Sequence, residues 1–212
     1  MSLLFVESPL IASASLIMIG CSVYINKSIY VTAMFITLFI FLLYFYRYEE
    51  FSGEKANNNQ IISPCEGTVS AVSEKNKDYV YIAIFLSPIN KHTQIYPVNG
   101  IVIKRQYDHT GQFEIVMDLD KSKYNEKKMH YISMEDKTII KLTQIAGFLP
   151  RMITSAEDVP MKVTSGEYLG MMKFGSRVDM LIPKYNTRGQ KLNIYISKGM
   201  KVSIGDLICE FN

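Results

Sequence analysis

Charge is almost absent from the first 46 residues of this 212-residue chain, where Glu7 and Lys27 are the only formal charges. No basic residue precedes Lys27, so the start lacks the basic region of a secretory signal peptide, and no small-x-small cleavage site follows. Cysteine is scarce. Cys21, Cys65 and Cys209 share no metal-ligand spacing, and their odd number argues against a closed disulfide framework. They read as buried or lipid-facing thiols, with the soluble part in a reducing compartment. Neither sign of charge forms a long run and the net charge is only +3. Nothing therefore marks a nucleic acid as partner, although a weak basic excess suits an anionic membrane surface. No long segment of helical period appears after residue 60, so the remainder is not a helical bundle. Histidine is limited to His92, His109 and His130, which keeps the choice of a general base short.

What is present begins with two apolar stretches. Residues 9–25 are moderately apolar and interrupted by Ser13, Ser15, Gly20 and Ser22. Residues 29–46, IYVTAMFITLFIFLLYFY, form an uncharged run of 18. A membrane span needs about 20 apolar residues, with a lower limit near 17. Tyr30, Tyr44, Tyr46 and Tyr48 fall where interfacial aromatics belong, and Arg47 is a stop signal. The expectation is a membrane-anchoring hydrophobic region over residues 1–46, drawn as a helical hairpin with one or two passes left open. Arg47 and Lys55 favour a cell (inner) membrane with the rest of the chain on the cytoplasmic side. Residues 47–60, RYEEFSGEKANNNQ, read as a polar linker to a domain over 61–212.

That domain reads as mainly β. Short runs at 79–86, 100–105, 113–119, 138–145 and 192–196 cluster β-branched and aromatic residues between Gly, Pro, Asn and Asp. Two internal echoes stand out. Ser63-Pro-Cys-Glu-Gly-Thr-Val69 and Tyr96-Pro-Val-Asn-Gly-Ile-Val102 share x-Pro-x-x-Gly-x-Val. Val163-Thr-Ser-Gly-Glu-Tyr-Leu169 and Val202-Ser-Ile-Gly-Asp-Leu-Ile208 share Val-x-x-Gly-acid-x-aliphatic. Such pairs resemble the lipoyl/biotinyl barrel-sandwich hybrid, in which Gly turns join short strands. Chance turn chemistry in a β protein is the lesser alternative.

The element richest in chemistry is Lys173-Phe-Gly-Ser-Arg-Val-Asp179. Phe174-Gly-Ser-Arg-Val-Asp179 resembles the processing motif of short-form phosphatidylserine decarboxylases. Four more segments resemble that family in the same order: Ser63-Pro-Cys-Glu-Gly67, Phe85-Leu-Ser-Pro-Ile-Asn-Lys-His92, Asn125-Glu126, and Gln144-Ile-Ala-Gly147 followed by Arg151. Each is weak alone; five in order across residues 63–183 are specific. The resemblance implies self-cleavage between Gly175 and Ser176 into a β chain, 1–175, and an α chain, 176–212. It implies a pyruvoyl group made from Ser176, which decarboxylates phosphatidylserine to phosphatidylethanolamine through a Schiff base. The partners implied are the lipid substrate, the bilayer and the heterodimer of the two chains, with a higher oligomer left open.

The residues support that chemistry independently. Gly175 has no Cβ, which opens its carbonyl to attack and permits a strained turn. The Ser176 hydroxyl is a poor nucleophile until a base held by a third group draws off its proton. The resemblance points to His92 as that base and to Glu66 as the carboxylate that orients it. His130, in a charged stretch, reads as a surface residue, and His109 as flanking a turn. Arg177 and Arg151 are candidates for the substrate phosphate or carboxylate, or equally ordinary ion-pair residues. Three positions depart from the family pattern: Glu66 replaces its Asp, Ile95 stands where long-form members carry a second His, and Lys127 or Lys128 replaces its Arg. Two rival readings remain. One is a membrane-anchored barrel-sandwich adaptor or carrier, since Met172-Lys173 is faintly similar to a biotinyl lysine motif, though no coiled-coil hairpin accompanies it. The other is a non-cleaving, inactive relative.

Overall fold

The computed structural model describes residues 3–26, 28–74, 77–108, 121–147, 153–155, 158–172 and 176–212. His109, the run 113–119, Arg151 and residues 173–175, Gly175 among them, lie outside the described residues. The chain divides into two compact units, 1–49 and 50–212.

The first unit is helical: α1 (Leu4–Glu7), α2 (Pro9–Cys21) and α3 (Ile29–Phe45). Pro9 opens α2, where its missing N–H costs nothing. Several hydroxyls in the apolar stretches turn back onto their own helices. Ser15 Oγ donates to the Ile11 carbonyl at 2.7 Å and Thr37 Oγ1 to that of Ala33 at 2.9 Å. What remains outside is apolar, including Leu10, Ile17, Ile29, Met34 and Ile40. The uncharged run of 18 yields a helix of 17 residues, because the helix ends at Phe45. At about 1.5 Å per residue that is roughly 26 Å, against a hydrocarbon core of about 30 Å. Among the described residues no helix is long and apolar enough to cross a membrane.

The second unit is mainly β, with a 3-10 turn at Ser122–Tyr124. Its strands are β1 (Gln60–Ile62), β2 (Gly67–Glu74), β3 (Tyr79–Leu86), β4 (Thr93–Ile95), β5 (Gly100–Asp108), β6 (Lys127–Ser133), β7 (Ile139–Ile145), β8 (Ile153–Ser155), β9 (Met161–Val163), β10 (Tyr168–Met172), β11 (Ser176–Pro183), β12 (Leu192–Ile194), β13 (Lys201–Val202) and β14 (Leu207–Phe211). All pairings between them are antiparallel. Two three-stranded sheets have the orders β1-β14-β12 and β4-β10-β8, and the large sheet reads β13-β2-β3-β11-β7-β6-β5-β9.

These orders are palindromic. Replacing β1, β2, β3, β11, β12, β13 and β14 by β4, β5, β6, β7, β8, β9 and β10 turns one small sheet into the other and one half of the large sheet into its other half. The hydrogen bonds repeat as well. Ile62 N–H donates to the Pro97 carbonyl and Ile95 N–H to that of Pro64, at 3.0 and 2.9 Å. Gly205 N–H donates to Ser63 and Ser63 N–H to Asp206, just as Gly166 N–H donates to Tyr96 and Tyr96 N–H to Glu167. Both sequence echoes are thus structural repeats. Neither their order nor their extent follows the chain simply. Strands β4–β10 form one continuous repeat, inserted between β3 and β11 of the other. In the inserted repeat the strands equivalent to β3 and β11 are joined by a tight hairpin at 134–138, closed by Met134 N–H to Thr138 O at 2.8 Å.

The segment read as a linker is part of this unit from Glu50 onward. Phe51 packs with Ala56, Ile62, Ile95 and Ile204, so the repeats meet around one ring. Gly166 and Gly205, the two echoed glycines, have φ of +88° and +90°, and a Cβ on either would overlap the Phe51 ring. Ala56 N–H donates to Ser165 Oγ at 2.6 Å, and its carbonyl accepts from Asn99 Nδ2 at 2.8 Å. The polar composition of 47–60 concealed one aromatic anchor. Phe51→Ala should lower unfolding stability by about 1–2 kcal/mol, less than full burial of such a side chain because the ring is half-buried. An unchanged urea midpoint would show that the ring does not hold the two turns.

Candidate active site

The junctions between the two repeats are residues 87–92, which lead into the insert, and 173–175, which lead out. They are pinned together at both ends. Ser176, the first residue of β11, pairs with Leu86, the last of β3. At the other end Met172 N–H donates to the His92 carbonyl at 3.1 Å. The fold therefore brings Ser176 and His92, far apart in sequence, to one crossover, and both are fully buried.

Ser176 Oγ makes no hydrogen bond among the described residues. A buried hydroxyl in that condition is uncommon in native structures and calls for a functional account. His92 Nδ1 lies 2.9 Å from the Asn90 main-chain carbonyl. A carbonyl oxygen only accepts, so Nδ1 carries a proton, and the ring in its neutral form keeps its lone pair on Nε2. That is the tautomer a general base requires.

Asn90 is the residue that sequence reasoning passed over, although it stands inside the quoted Ser-Pro-Ile-Asn-Lys-His element. Its Oδ1 accepts from Ser87 N–H at 2.9 Å and from Ser87 Oγ at 2.6 Å. Its Nδ2 donates to Glu66 Oε1 at 2.6 Å. The expectation that Glu66 orients the imidazole takes a different form here. The carboxylate fixes Asn90, and the Asn90 carbonyl fixes the ring, because a bond two residues back along the chain already meets Nδ1. Ile95, the position of a second His in some members, is buried beside Phe51 and Ile62.

The other quoted segments close around the same crossover. Asn125 Nδ2 donates to the Ala146 carbonyl at 3.0 Å, and Ala146 N–H donates to the Glu126 carbonyl. Ile145 pairs with Arg177, next to Ser176. The family model of phosphatidylserine decarboxylase matches residues 38–210. The chain belongs to the phosphatidylserine decarboxylase family. The phosphatidylserine decarboxylase proenzyme of Cytophaga hutchinsonii is 39% identical over 160 residues, covering 72% of each chain. That of Wolbachia pipientis wMel is 31% identical over 188 residues, covering 84% of this chain and 77% of the relative. No solved structure matches the chain with significance.

In this family member Arg177 is held by protein side chains. It is 1% exposed, and alternation along β11 puts it on the face of the sheet opposite Ser176. Its Nε and Nη2 donate to the two oxygens of Asp179 at 2.7 and 3.0 Å, and Nη1 donates to Ser122 Oγ at 2.6 Å. Tyr81 donates to the same Asp179 carboxylate at 2.7 Å. Burial, and then the Asp179 charge, raise the Tyr81 phenol above its usual range, so it stays a donor.

His130 is not a surface residue. It is fully buried on β6, bonded to Gln144 and Arg105. The charged stretch around it misled because its charges turn inward with partners: Glu126 accepts from Tyr107 Oη, and Lys128 lies 5.9 Å from the Tyr107 ring centre. Burial raises the thiols of Cys65 and Cys209, which keeps both protonated and poor nucleophiles.

Proposed function

We propose that this chain is a self-processing, pyruvoyl-dependent decarboxylase that converts phosphatidylserine to phosphatidylethanolamine and carbon dioxide. The observation that carries the reading is the crossover itself, where a buried hydroxyl with no hydrogen bond among the described residues begins a strand and a buried imidazole of the right tautomer is tied to the same junction. The relatives are named proenzymes, which fits a precursor that must be cut. The family membership leaves no room for the adaptor reading. The duplicated seven-strand unit with its paired Gly-acid turns supports the barrel-sandwich architecture.

His92 Nε2 draws the proton from Ser176 Oγ as the oxygen attacks the Gly175 carbonyl, and the acyl group passes from nitrogen to oxygen. Loss of the Ser176 α-proton then expels the Gly175 carboxylate. The dehydroalanine left at the new N-terminus takes up water and releases ammonia. A pyruvoyl group at that position supplies a carbonyl that engages the substrate amine and accepts the electron pair freed with carbon dioxide. The chain has what such a group needs: the serine it is made from, burial, and an adjacent base. Once cut, 176–212 stays in place as the partner of 1–175, because β11 lies between β3 and β7 and β14 between β1 and β12.

The apolar exterior of α2 and α3 supports anchoring in a cell (inner) membrane, with the β unit on the cytoplasmic side. A helix apolar all round is stable only in lipid or in a protein core. One experiment tests both readings. Membranes washed with alkaline carbonate are treated with borohydride in the presence of phosphatidylserine. The protein should stay in the pellet and 176–212 should gain the mass of reduced substrate. Release into the supernatant would refute the anchor, and an unlabelled α chain would refute the carbonyl group.

A further inference from the structure

Behind His92 runs a second line of buried polar side chains, which the reaction outlined above leaves unused. Gln94 on β4, His130 on β6 and Gln144 on β7 are all fully buried. Arg105 Nε donates to His130 Nδ1 at 3.3 Å. A guanidinium can only donate, so Nδ1 is bare and the neutral ring carries its proton on Nε2. That nitrogen donates to Gln144 Oε1 at 2.9 Å, which turns the Gln144 amide so that Nε2 donates to Gln94 Oε1 at 2.8 Å. The Gln94 amide is fixed in turn, and its Nε2 donates to the His92 main-chain carbonyl. Every bond points the same way, from the half-buried Arg105 to the backbone of His92.

The His92 carbonyl also accepts from Met172 N–H. It therefore holds two donors, one from each side of the crossover. Gln144 is the register partner of Val178, two residues beyond Ser176, so the line passes close to the scissile junction. Burying two amides and an imidazole is unfavourable unless every group is satisfied, and an apolar core would serve packing as well. We propose that Gln94, Gln144 and His130 are positioning residues for self-cleavage: they hold the His92 backbone, and so its imidazole, in the attitude that serves Ser176. This rests on the reading that His92 is the base for Ser176.

The test uses the full-length chain in detergent or membranes, with His92→Ala as control. Gln144→Met keeps the volume and removes both amide bonds. It should slow appearance of the 176–212 chain by about tenfold, the scale of one lost buried hydrogen bond. Histidine ¹⁵N resonances of the uncut Ser176→Ala precursor supply a signature that simple packing would not move. His92 should appear as the Nδ1–H tautomer and His130 as Nε2–H, and Gln144→Met should shift the His92 signals although Gln144 does not bond that ring. Arg105→Met, at the half-buried end, gives the same reading if Gln144→Met fails to fold. Wild-type cleavage in these variants beside a dead His92→Ala, or unmoved His92 signals, would overturn the positioning role alone. Normal cleavage in His92→Ala would overturn it together with the base assignment.

Discussion

Ser176→Ala should yield a single uncut chain of 212 residues where the unsubstituted protein yields 1–175 and 176–212. Without the hydroxyl there is no nucleophile for the Gly175 carbonyl and no ester from which to eliminate. The change should also leave stability intact or raise it. Ser176 Oγ is buried and makes no hydrogen bond among the described residues, so its removal breaks nothing and relieves an unsatisfied group. Loss of cleavage with a native-like melting temperature is therefore the expected pair of results, read by intact mass and calorimetry. A Ser176→Ala protein that still splits at this bond would place the nucleophile elsewhere. An unsubstituted protein that never splits would make the chain an inactive relative.

His92→Ala should slow cleavage by about 10²–10⁴-fold, the range for removal of a general base. The argument is geometric before it is electrostatic. The Asn90 carbonyl fixes the proton on Nδ1, and the Met172 bond ties His92 to the segment that ends at Ser176. Variants around it should grade accordingly. Glu66→Gln keeps an oxygen that can accept from Asn90 Nδ2, so most of the rate should survive. Asn90→Ala loses the Glu66 and Ser87 bonds together and should cost more, while the carbonyl that holds the ring remains. A gel time course of the α chain, run in parallel with phosphatidylethanolamine formation, measures the series. Equal rates for His92→Ala and the parent would send the search for a base to His109.

The chemistry was more legible than the architecture. Five short motifs in order are enough to point to the family, and within it to Ser176 and His92 as the nucleophile and base proposed above. Strand runs such as 79–86 announce themselves through β-branched and aromatic residues. Three features stayed hidden for physical reasons. Phe51 is one aromatic in a polar segment, and only the distant glycines 166 and 205 show what it is for. His130 sits among charges that a linear reading assigns to solvent, whereas pairing across β5, β6 and β7 turns several of them inward. Glu66 bonds Asn90 and not the imidazole because a carbonyl two residues away satisfies that ring first, a local geometry that composition cannot express.

The nesting of one repeat inside the other sets what the proposed scission would do to the molecule. Before the cut, the insert is a closed loop, covalently tethered to its host at both 87–92 and 173–175. After the cut only 87–92 remains, and that strip carries both Asn90 and His92. The outgoing tether becomes two chain ends, one of them the new reactive terminus at Ser176, while the incoming tether keeps its bonds to Glu66 and Met172. The proposed cleavage would thus release Ser176 from its covalent link to the insert, while the strip that carries His92 stays moored by the one covalent bridge that survives.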